Sequence, residues 1–241
     1  MQLIVKKNPA DLAKAAANFM AKRINYVLKK QDRFTIALSG GSTPKALHEL
    51  LAKSPYVEQI PWLQLHVFWG DERYVPIDDP QSNAGMAYDT LLGHVFTPED
   101  QIHVWRTDLQ PEAAAADYDR ILHEYFGDSE PTFDLVLLGM GDDGHTLSLF
   151  PGTEVVHEQI AWTKAYFLDQ QNMYRLTLTA PVVNRASCVL FLVAGPKKAA
   201  PLRKVLEGEY QPATYPAQVI KLTNGELVWM VDEKAAADLK S

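Results

Sequence analysis

Residues 133–145 read Phe-Asp-Leu-Val-Leu-Leu-Gly-Met-Gly-Asp-Asp-Gly-His, and this stretch decides the fold. Its four consecutive aliphatic residues end at a glycine, which predicts a strand buried on both faces, as in parallel sheets flanked by helices. The loop that follows combines three glycines with two carboxylates and a histidine, more ionisable groups than a structural turn usually holds. Because open α/β sheets bind ligands at the carboxyl ends of their strands, we predict an active-site loop centred on His145.

Length and charge limit the class of protein. A chain of 241 residues can bury a substantial core, and it shows no obvious linker, so we expect a single domain over residues 1–241. The formal net charge is -7, from 30 Asp and Glu against 23 Lys and Arg, which argues against nucleic acid and anionic membranes as partners. An anionic ligand is repelled by this overall field, so a local cluster of cations must hold it.

Cysteine usage and hydropathy indicate the compartment. Cys188 is the only cysteine, which excludes an intrachain disulfide, and its apolar neighbours indicate a buried side chain rather than a nucleophile. The first residues lack the apolar stretch of a signal peptide, and nowhere do about 18 apolar residues follow one another. We therefore expect a cytoplasmic protein without membrane contact.

Strands alternate with helices along the chain, which predicts an α/β fold with a mostly parallel sheet flanked by helices on both faces. The predicted strands cover residues 3–5, 33–38, 63–69, 102–105, 133–138, 160–167, 174–179, 187–193 and 228–231. The predicted helices run from Pro9 to about Lys30, from Pro44 to Leu51, from Ser82 or Asn83 through Leu92, and from Pro111 to a stop at Gly127. A short turn of helix begins at Pro181, and a last helix follows residues 194–199 and ends at Leu206. Asn8, Ser42 or Thr43, and Ser82 or Asn83 are the expected N-caps.

The strand at 33–38 opens onto a glycine loop, residues 39–43, that precedes a helix. Free backbone N–H groups at a helix N-terminus favour an anion, a phosphate above all. The Walker pattern fails because Lys45 follows Pro44 instead of glycine, and the dinucleotide fingerprint is absent too. These absences favour a sugar-phosphate site, although a tight turn with ordinary capping would explain this loop equally well if it stood alone.

Two further strands end in candidate binding residues. Asp71, Glu72 and Arg73 follow the strand at 63–69, and Lys198 follows the strand that contains Cys188. The planar guanidinium of arginine suits a phosphate or a carboxylate, whereas an ion pair within the triplet at 71–73 is the structural alternative. Four predicted strands thus end in candidate binding residues at one edge of the sheet, which favours a functional site over purely structural turns.

Five segments together carry a resemblance to a known family. They are Ser39-Gly40-Gly41-Ser42-Thr43-Pro44, Trp69-Gly70-Asp71-Glu72-Arg73, the run 139–152 with its Asp-Gly-His-Thr and Ser-Leu-Phe-Pro-Gly, Arg175-Leu176-Thr177, and Gly195 with Lys198-Ala199. In order and spacing they resemble the signatures of the 6-phosphogluconolactonases over almost the whole chain. The resemblance implies a modified Rossmann-like fold, shared with glucosamine-6-phosphate deaminase/isomerase. It also implies hydrolysis of 6-phospho-D-glucono-1,5-lactone to 6-phospho-D-gluconate, a carboxylic ester hydrolysis of the pentose phosphate pathway.

The deaminase is the relative to exclude. Its Asp-Gly-His turn continues to a carboxylate just before a proline, and Phe150 occupies that position here. The tyrosine that follows the deaminase Asp-Glu pair is Arg73 in this chain. Both differences favour the lactonase. Leu147, where the lactonase turn commonly has alanine, is a departure that we expect to affect packing more than chemistry.

The resemblance and the placement of the residues together predict their roles. We expect His145 to act as a general base on the attacking water, with Asp143 or Asp71 supporting it. We expect three cations and one loop to bind the 6-phosphate and the developing negative charge. The cations are Arg73, Arg175 and Lys198, whose individual roles are left open, and the loop residues are Gly40, Gly41, Ser42 and Thr43. We expect no cofactor and no covalent intermediate, because a lactone is an activated ester and no Gly-x-Ser-x-Gly elbow occurs. Ser148 is expected to cap or pack.

Other interpretations remain open. His145 could be structural, or could begin a metal site with Asp142 and Asp143, but no second histidine or cysteine falls nearby at ligand spacing, so we expect no metal. A non-catalytic sugar-phosphate sensor would explain the phosphate loop and the cations equally well. We expect a phosphorylated sugar lactone as the partner of a monomer or homodimer.

Overall fold

The computed structural model describes residues 1–127 and 129–240. The strands are β1 Gln2–Lys6, β2 Phe34–Leu38, β3 Leu65–Trp69, β4 Asp71–Arg73, β5 Leu135–Leu138, β6 Thr163–Leu168, β7 Met173–Leu178, β8 Cys188–Val193 and β9 Glu226–Asp232. The α-helices are α1 Pro9–Val27, α2 Ser42–Leu51, α3 Tyr56–Gln59, α4 Asn83–Thr90, α5 Pro111–Phe126, α6 Ala180–Val183 and α7 Ala199–Glu207. Short 3₁₀ helices cover Trp62–Gln64, Leu92–His94, Glu99–Gln101, Glu154–His157, Asp169–Gln171, Pro196–Lys198 and Pro216–Val219.

Six strands form a sheet in the order β1-β9-β8-β5-β2-β3, and every pairing in it is parallel. Every residue of β2, β5 and β8 is buried, so both faces of the sheet are covered. The predicted α/β fold with a mostly parallel sheet flanked by helices is therefore confirmed. Cys188 is buried in β8, as expected, and burial raises the pKa of its thiol to about 11.

The strand order reverses between β2 and β5. From β2 the chain continues to β3 at one edge, whereas from β5 it continues to β8 and then β9 on the other side. Ligands of open parallel sheets bind where the order reverses, outside the carboxyl ends of the strands. The glycine loop after β2 and the His145 loop after β5 flank this point.

A second sheet of three antiparallel strands, in the order β4-β7-β6, is joined to the first through Gly70. The Gly70 N–H donates to the Leu38 carbonyl (2.9 Å), and its own carbonyl accepts from the Leu178 N–H (2.8 Å). Asp71–Arg73, which we placed after the end of the predicted strand at 63–69, therefore forms a strand of its own. Its register places Arg73 opposite Arg175.

The start of α1 and the end of α5 follow the predicted caps. The Asn8 side chain accepts from the Asp11 N–H and begins α1 before Pro9, and Gly127, with φ 52°, ends α5, both as predicted. The prediction of a Ser42 or Thr43 cap for α2 is wrong. Both residues lie inside its first turn, and Gly41 occupies the N-cap position with φ 102°, a conformation that favours glycine.

Other boundaries differ from the prediction. Helix α1 ends at Val27 rather than near Lys30, and β6 begins at Thr163. Instead of a strand at 102–105, only Ile102 forms a bridge, to Val67, and the Trp105 ring turns inward to stack on Tyr118 at 3.8 Å. Among the described residues, no helix is both long enough and apolar enough to span a bilayer.

Candidate active site

A cleft of about 210 Å³ lies at the carboxyl ends of the parallel strands. It brings together residues from the loops after β2, β5 and β8, from β4 and β7, and from the start of α4. Its lining consists of Ser39, Gly40, Gly41, Asp71, Arg73, Asn83, Gly139, Met140, Gly141, His145, Thr146, Leu147, Arg175 and Lys198. Most predicted site residues are among them. Asp143 contacts the cleft through His145, while Ser42 and Thr43 lie on the first turn of α2, outside this lining.

The loop after β5 aims its histidine through a tight turn. The Gly144 N–H donates to the Gly141 carbonyl (3.1 Å), and Gly144 has φ 80°. The turn brings Nδ1 of His145 to 2.6 Å from Oδ1 of Asp143, which also accepts from the His145 backbone N–H (3.0 Å). Because an ionised carboxylate can only accept, Nδ1 carries the proton and Nε2 keeps its lone pair. The arrangement suits a general base.

The carboxyl group of Asp143 is held in its ionised form. Burial would raise its pKa, but the hydrogen bond from His145, the charge that His145 carries when it is protonated, and backbone N–H groups together outweigh burial, so the pKa lies below its ordinary value. Phe150 stacks on the imidazole of His145, with ring centroids 4.0 Å apart. The ring of His145 is thus fixed on one face and at one edge.

A buried ion pair lies beneath the cleft. Nη2 of Arg175 is 3.0 Å from Oδ2 of Asp71, and their side chains are 4% and 8% exposed. The Ser148 hydroxyl lies 2.6 Å from the same Asp71 oxygen and 2.9 Å from Nε of Arg175. Nη1 of Arg175 donates to the Gln171 side chain (3.1 Å). Asp71 is therefore occupied with Arg175 and Ser148, and the carboxylate beside His145 is Asp143.

Glu72 and Arg73 do not form the ion pair that we weighed for this triplet. Glu72 is buried, and its carboxylate accepts from the backbone N–H groups of Arg73, Asn83 and Ala84, two of them at the start of α4. Burial nevertheless raises its pKa. Nη1 of Arg73 donates to the Gln81 carbonyl (2.6 Å), whereas its buried Nε has no partner among the described residues. Arg73 thus keeps donors for an anion.

The remaining cation and the glycine loop complete the cleft. Nζ of Lys198 lies 2.6 Å from the half-exposed Asp142 carboxylate. Asn83 donates to the Asp71 carbonyl (2.8 Å), and its Oδ1 lies only 1.8 Å from where a Cβ at Gly40 would stand. Gly40 is therefore required for this close approach. Among the residues described, no three His, Cys, Asp or Glu side chains converge as a metal site would require.

Comparison with known proteins identifies the family. The model of the family described as Glucosamine-6-phosphate isomerases/6-phosphogluconolactonase matches residues 7–229. The chain belongs to this family. A 6-phosphogluconolactonase of Nostoc sp. is 42% identical over 221 residues, which cover 90% of this chain and 89% of that protein. One from Synechocystis sp. is 41% identical over 243 residues, with coverage of 99% and 98%.

Solved structures of the family share the fold. The structure of 6-phosphogluconolactonase from Trypanosoma cruzi superimposes with a TM-score of 0.88 at 28% identity, and the match covers 100% of this chain and 97% of that one. The Rossmann-like fold that we inferred from the resemblance is thus confirmed.

Three buried residues of this family member were missed or misjudged from sequence. Asn83 was expected at the start of a helix, Ser148 was assigned to capping or packing, and Glu72 was considered for an ion pair. Each acts through partners distant in sequence or through backbone groups, which residue type and spacing do not reveal. The alternation of polar and apolar residues around Ser148 would place its side chain on the face opposite Leu147 and Leu149, so no local signal marks it as buried.

Proposed function

We propose that this protein hydrolyses 6-phospho-D-glucono-1,5-lactone to 6-phospho-D-gluconate. Family membership and relatives named 6-phosphogluconolactonase support the activity. The observation that carries the proposal is the joint presence, in one cleft, of the Asp143-supported His145 and three cations. A neutral base and a cationic wall suit hydrolysis of an anionic ester.

His145 acts as the general base. Nε2 takes a proton from a water molecule as the water oxygen attacks the lactone carbonyl carbon, and a tetrahedral oxyanion forms. The bond between that carbon and the ring oxygen then breaks, and the imidazolium returns its proton to the departing ring oxygen. The first products are the carboxylic acid and the sugar hydroxyl. The acid then releases its proton to solvent and becomes the carboxylate, and no covalent intermediate with the protein forms. Asp143 holds the tautomer and offsets the positive charge on His145.

The three cations have different roles in binding the negative charges of the substrate. The guanidinium of Arg175 is committed to Asp71, Ser148 and Gln171, so it acts as a fixed charge beneath the substrate. Arg73 and Lys198 keep free donors, and with the N-terminus of α2 they bind the phosphate and the developing oxyanion. Each charge-assisted hydrogen bond is worth about 1.5 to 3 kcal/mol.

These groups supply enough catalysis for an activated ester. General-base assistance contributes about 10² to 10⁴ in rate, and one oxyanion donor about 10² to 10³. We further propose that residues 1–241 act as a single cytoplasmic domain in the pentose phosphate pathway, as a monomer or homodimer.

The test is acid release from freshly generated lactone, followed by pH-stat against the uncatalysed rate. Ammonia release from glucosamine 6-phosphate is measured in parallel, because the family includes both activities. Lactone turnover without ammonia is expected, since Phe150 stands where the deaminase carries an acid. Ammonia release would favour the isomerase, and binding of 6-phosphogluconate without either turnover would favour a sensor.

A further inference from the structure

We propose that Ser148 is a positioning residue that holds the Asp71–Arg175 pair beneath the cleft and ties it to the His145 loop, a role that rests on the lactonase activity proposed above. Ser148 lies three residues after His145 and is fully buried. The two charged side chains that it contacts, Asp71 and Arg175, both line the cleft. Its hydroxyl therefore joins the base loop to the charged wall.

The chemistry of the three groups fixes the direction of each hydrogen bond. A guanidinium can only donate, and an ionised carboxylate can only accept. The Ser148 hydroxyl therefore accepts from Nε of Arg175 (2.9 Å) and donates its single hydrogen to Oδ2 of Asp71 (2.6 Å). No other orientation satisfies both contacts. The hydroxyl closes a triangle with the direct Arg175–Asp71 contact of 3.0 Å.

The backbone of Ser148 is anchored to the second sheet on both sides. Its N–H donates to the Thr177 hydroxyl on β7 (3.1 Å), and its carbonyl accepts from the Tyr166 hydroxyl on β6 (2.6 Å). The preceding residue, Leu147, has φ 54°, a left-handed conformation that leucine rarely adopts. The chain thus accepts an unfavourable backbone conformation where it turns Ser148 inward.

Removal of the hydroxyl frees the guanidinium. Without the Ser148 hydroxyl, Nε of Arg175 and Oδ2 of Asp71 each lose a buried hydrogen-bond partner, and the Arg175 side chain can rotate away from the cleft. Arg73 pairs with Arg175 across β4 and β7, so the disturbance reaches a second cation. The expected consequence is weaker binding of the anionic ligand in addition to slower turnover.

The decisive comparison is Ser148→Ala against Thr132→Val, since each deletes one buried hydroxyl. The Thr132 hydroxyl donates to the Val182 carbonyl (2.9 Å), away from the cleft. Urea unfolding should show a loss of stability in both, and the larger loss in Ser148→Ala, because its hydroxyl bonds two charged groups. Calorimetry with 6-phosphogluconate should show roughly a tenfold loss of affinity in Ser148→Ala alone, with a matching rise in KM, because a charge-assisted network is broken. Equal affinities in the two variants would overturn the role.

A double-mutant cycle tests whether Ser148 acts through Arg175. The losses of 6-phosphogluconate affinity in Ser148→Ala and Arg175→Lys should be clearly less than additive, whereas additive losses would contradict the proposal. If Ser148→Ala does not fold, Ser148→Cys, with its weak thiol donor, replaces it in both measurements. Binding without lactone turnover by the wild type would refute the activity and leave Ser148 to be judged on affinity. A wild type that does neither would overturn both.

Discussion

Gly141→Ala is the substitution that probes the position of His145 most directly. An ideal Cβ at residue 141 would stand 2.1 Å from Nδ1 of His145 and 2.5 Å from Oδ1 of Asp143. An ordinary contact begins near 3.4 Å, so the imidazole must retreat by about 1.3 Å. Gly141 does not adopt a positive φ, so its backbone accepts alanine. The perturbation is therefore confined to the His145–Asp143 contact.

This displacement should lower kcat by about 10² to 10³, since a shift of 1 Å can cost about 10²-fold and general-base assistance is worth up to about 10⁴. The free energy of unfolding should fall by only about 1 kcal/mol, because the His145 side chain is 27% exposed and can swing toward solvent. The KM should change little, as Arg73 and Lys198 are untouched. Steady-state kinetics by pH-stat and urea unfolding measure these quantities.

Gly139→Ala is the matched control, two residues earlier in the same loop. A Cβ there meets no atom within 4 Å, and Gly139 does not adopt a positive φ. Its kcat should stay within about threefold of the wild type. A Gly141→Ala enzyme with wild-type kcat, or an equal loss of kcat in both variants, would refute the reasoning that the loop exists to aim His145.

Three further outcomes follow from the buried and charged groups. Burial lowers the pKa of His48 to about 4, so the unfolded chain, titrating near 6.5, binds more protons. The free energy of unfolding that neutral His48 contributes is fully present above pH 6.5, and on the order of 3 kcal/mol of it is lost as the pH falls toward 4. His48→Leu should remove this pH-dependent difference between urea unfolding at pH 7.5 and at pH 4.5. Asp71→Asn should lower the free energy of unfolding by about 3 kcal/mol because it leaves the Arg175 charge buried without its carboxylate; adding Arg175→Met should restore part of it, and an unchanged urea midpoint would contradict this. Lys198→Met should raise KM roughly tenfold while the exposed neighbour Lys197→Met stays within about twofold, and equal KM values would count against Lys198 as an anion ligand.

Local sequence patterns were sufficient to predict much of the fold. The aliphatic run at Leu135–Leu138 and the glycines after it mark a buried strand and a loop, and the chirality and connection rules of parallel sheets then bring the strand ends to one edge. The contact between Asp143 and His145 spans two residues and belongs to that loop. Sequence left Asp71 as an alternative, because residue type alone does not separate two nearby carboxylates.

Long-range contacts explain what the sequence did not reveal. Strand β4 has three polar or charged residues, and its strand character comes from pairing with β7, about a hundred positions later. Ser148 and Asp71 are 77 residues apart, and Asp71 and Arg175 are 104 apart. No periodicity links such partners. The buried triangle beneath the cleft was therefore invisible, although each member was quoted in a motif.

The central claim is that His145 activates water for lactone hydrolysis. The most direct test is the pH-stat rate of 6-phosphoglucono-1,5-lactone hydrolysis by the wild type, by His145→Ala, and by His157→Ala as an exposed control, with 6-phosphogluconate binding measured for each. We predict a fast wild type, an unaffected His157→Ala, and a His145→Ala rate lower by about 10² to 10⁴ with product binding retained. Wild-type activity in His145→Ala would contradict the assignment of the base, and a wild type with no activity above background would contradict the lactonase itself.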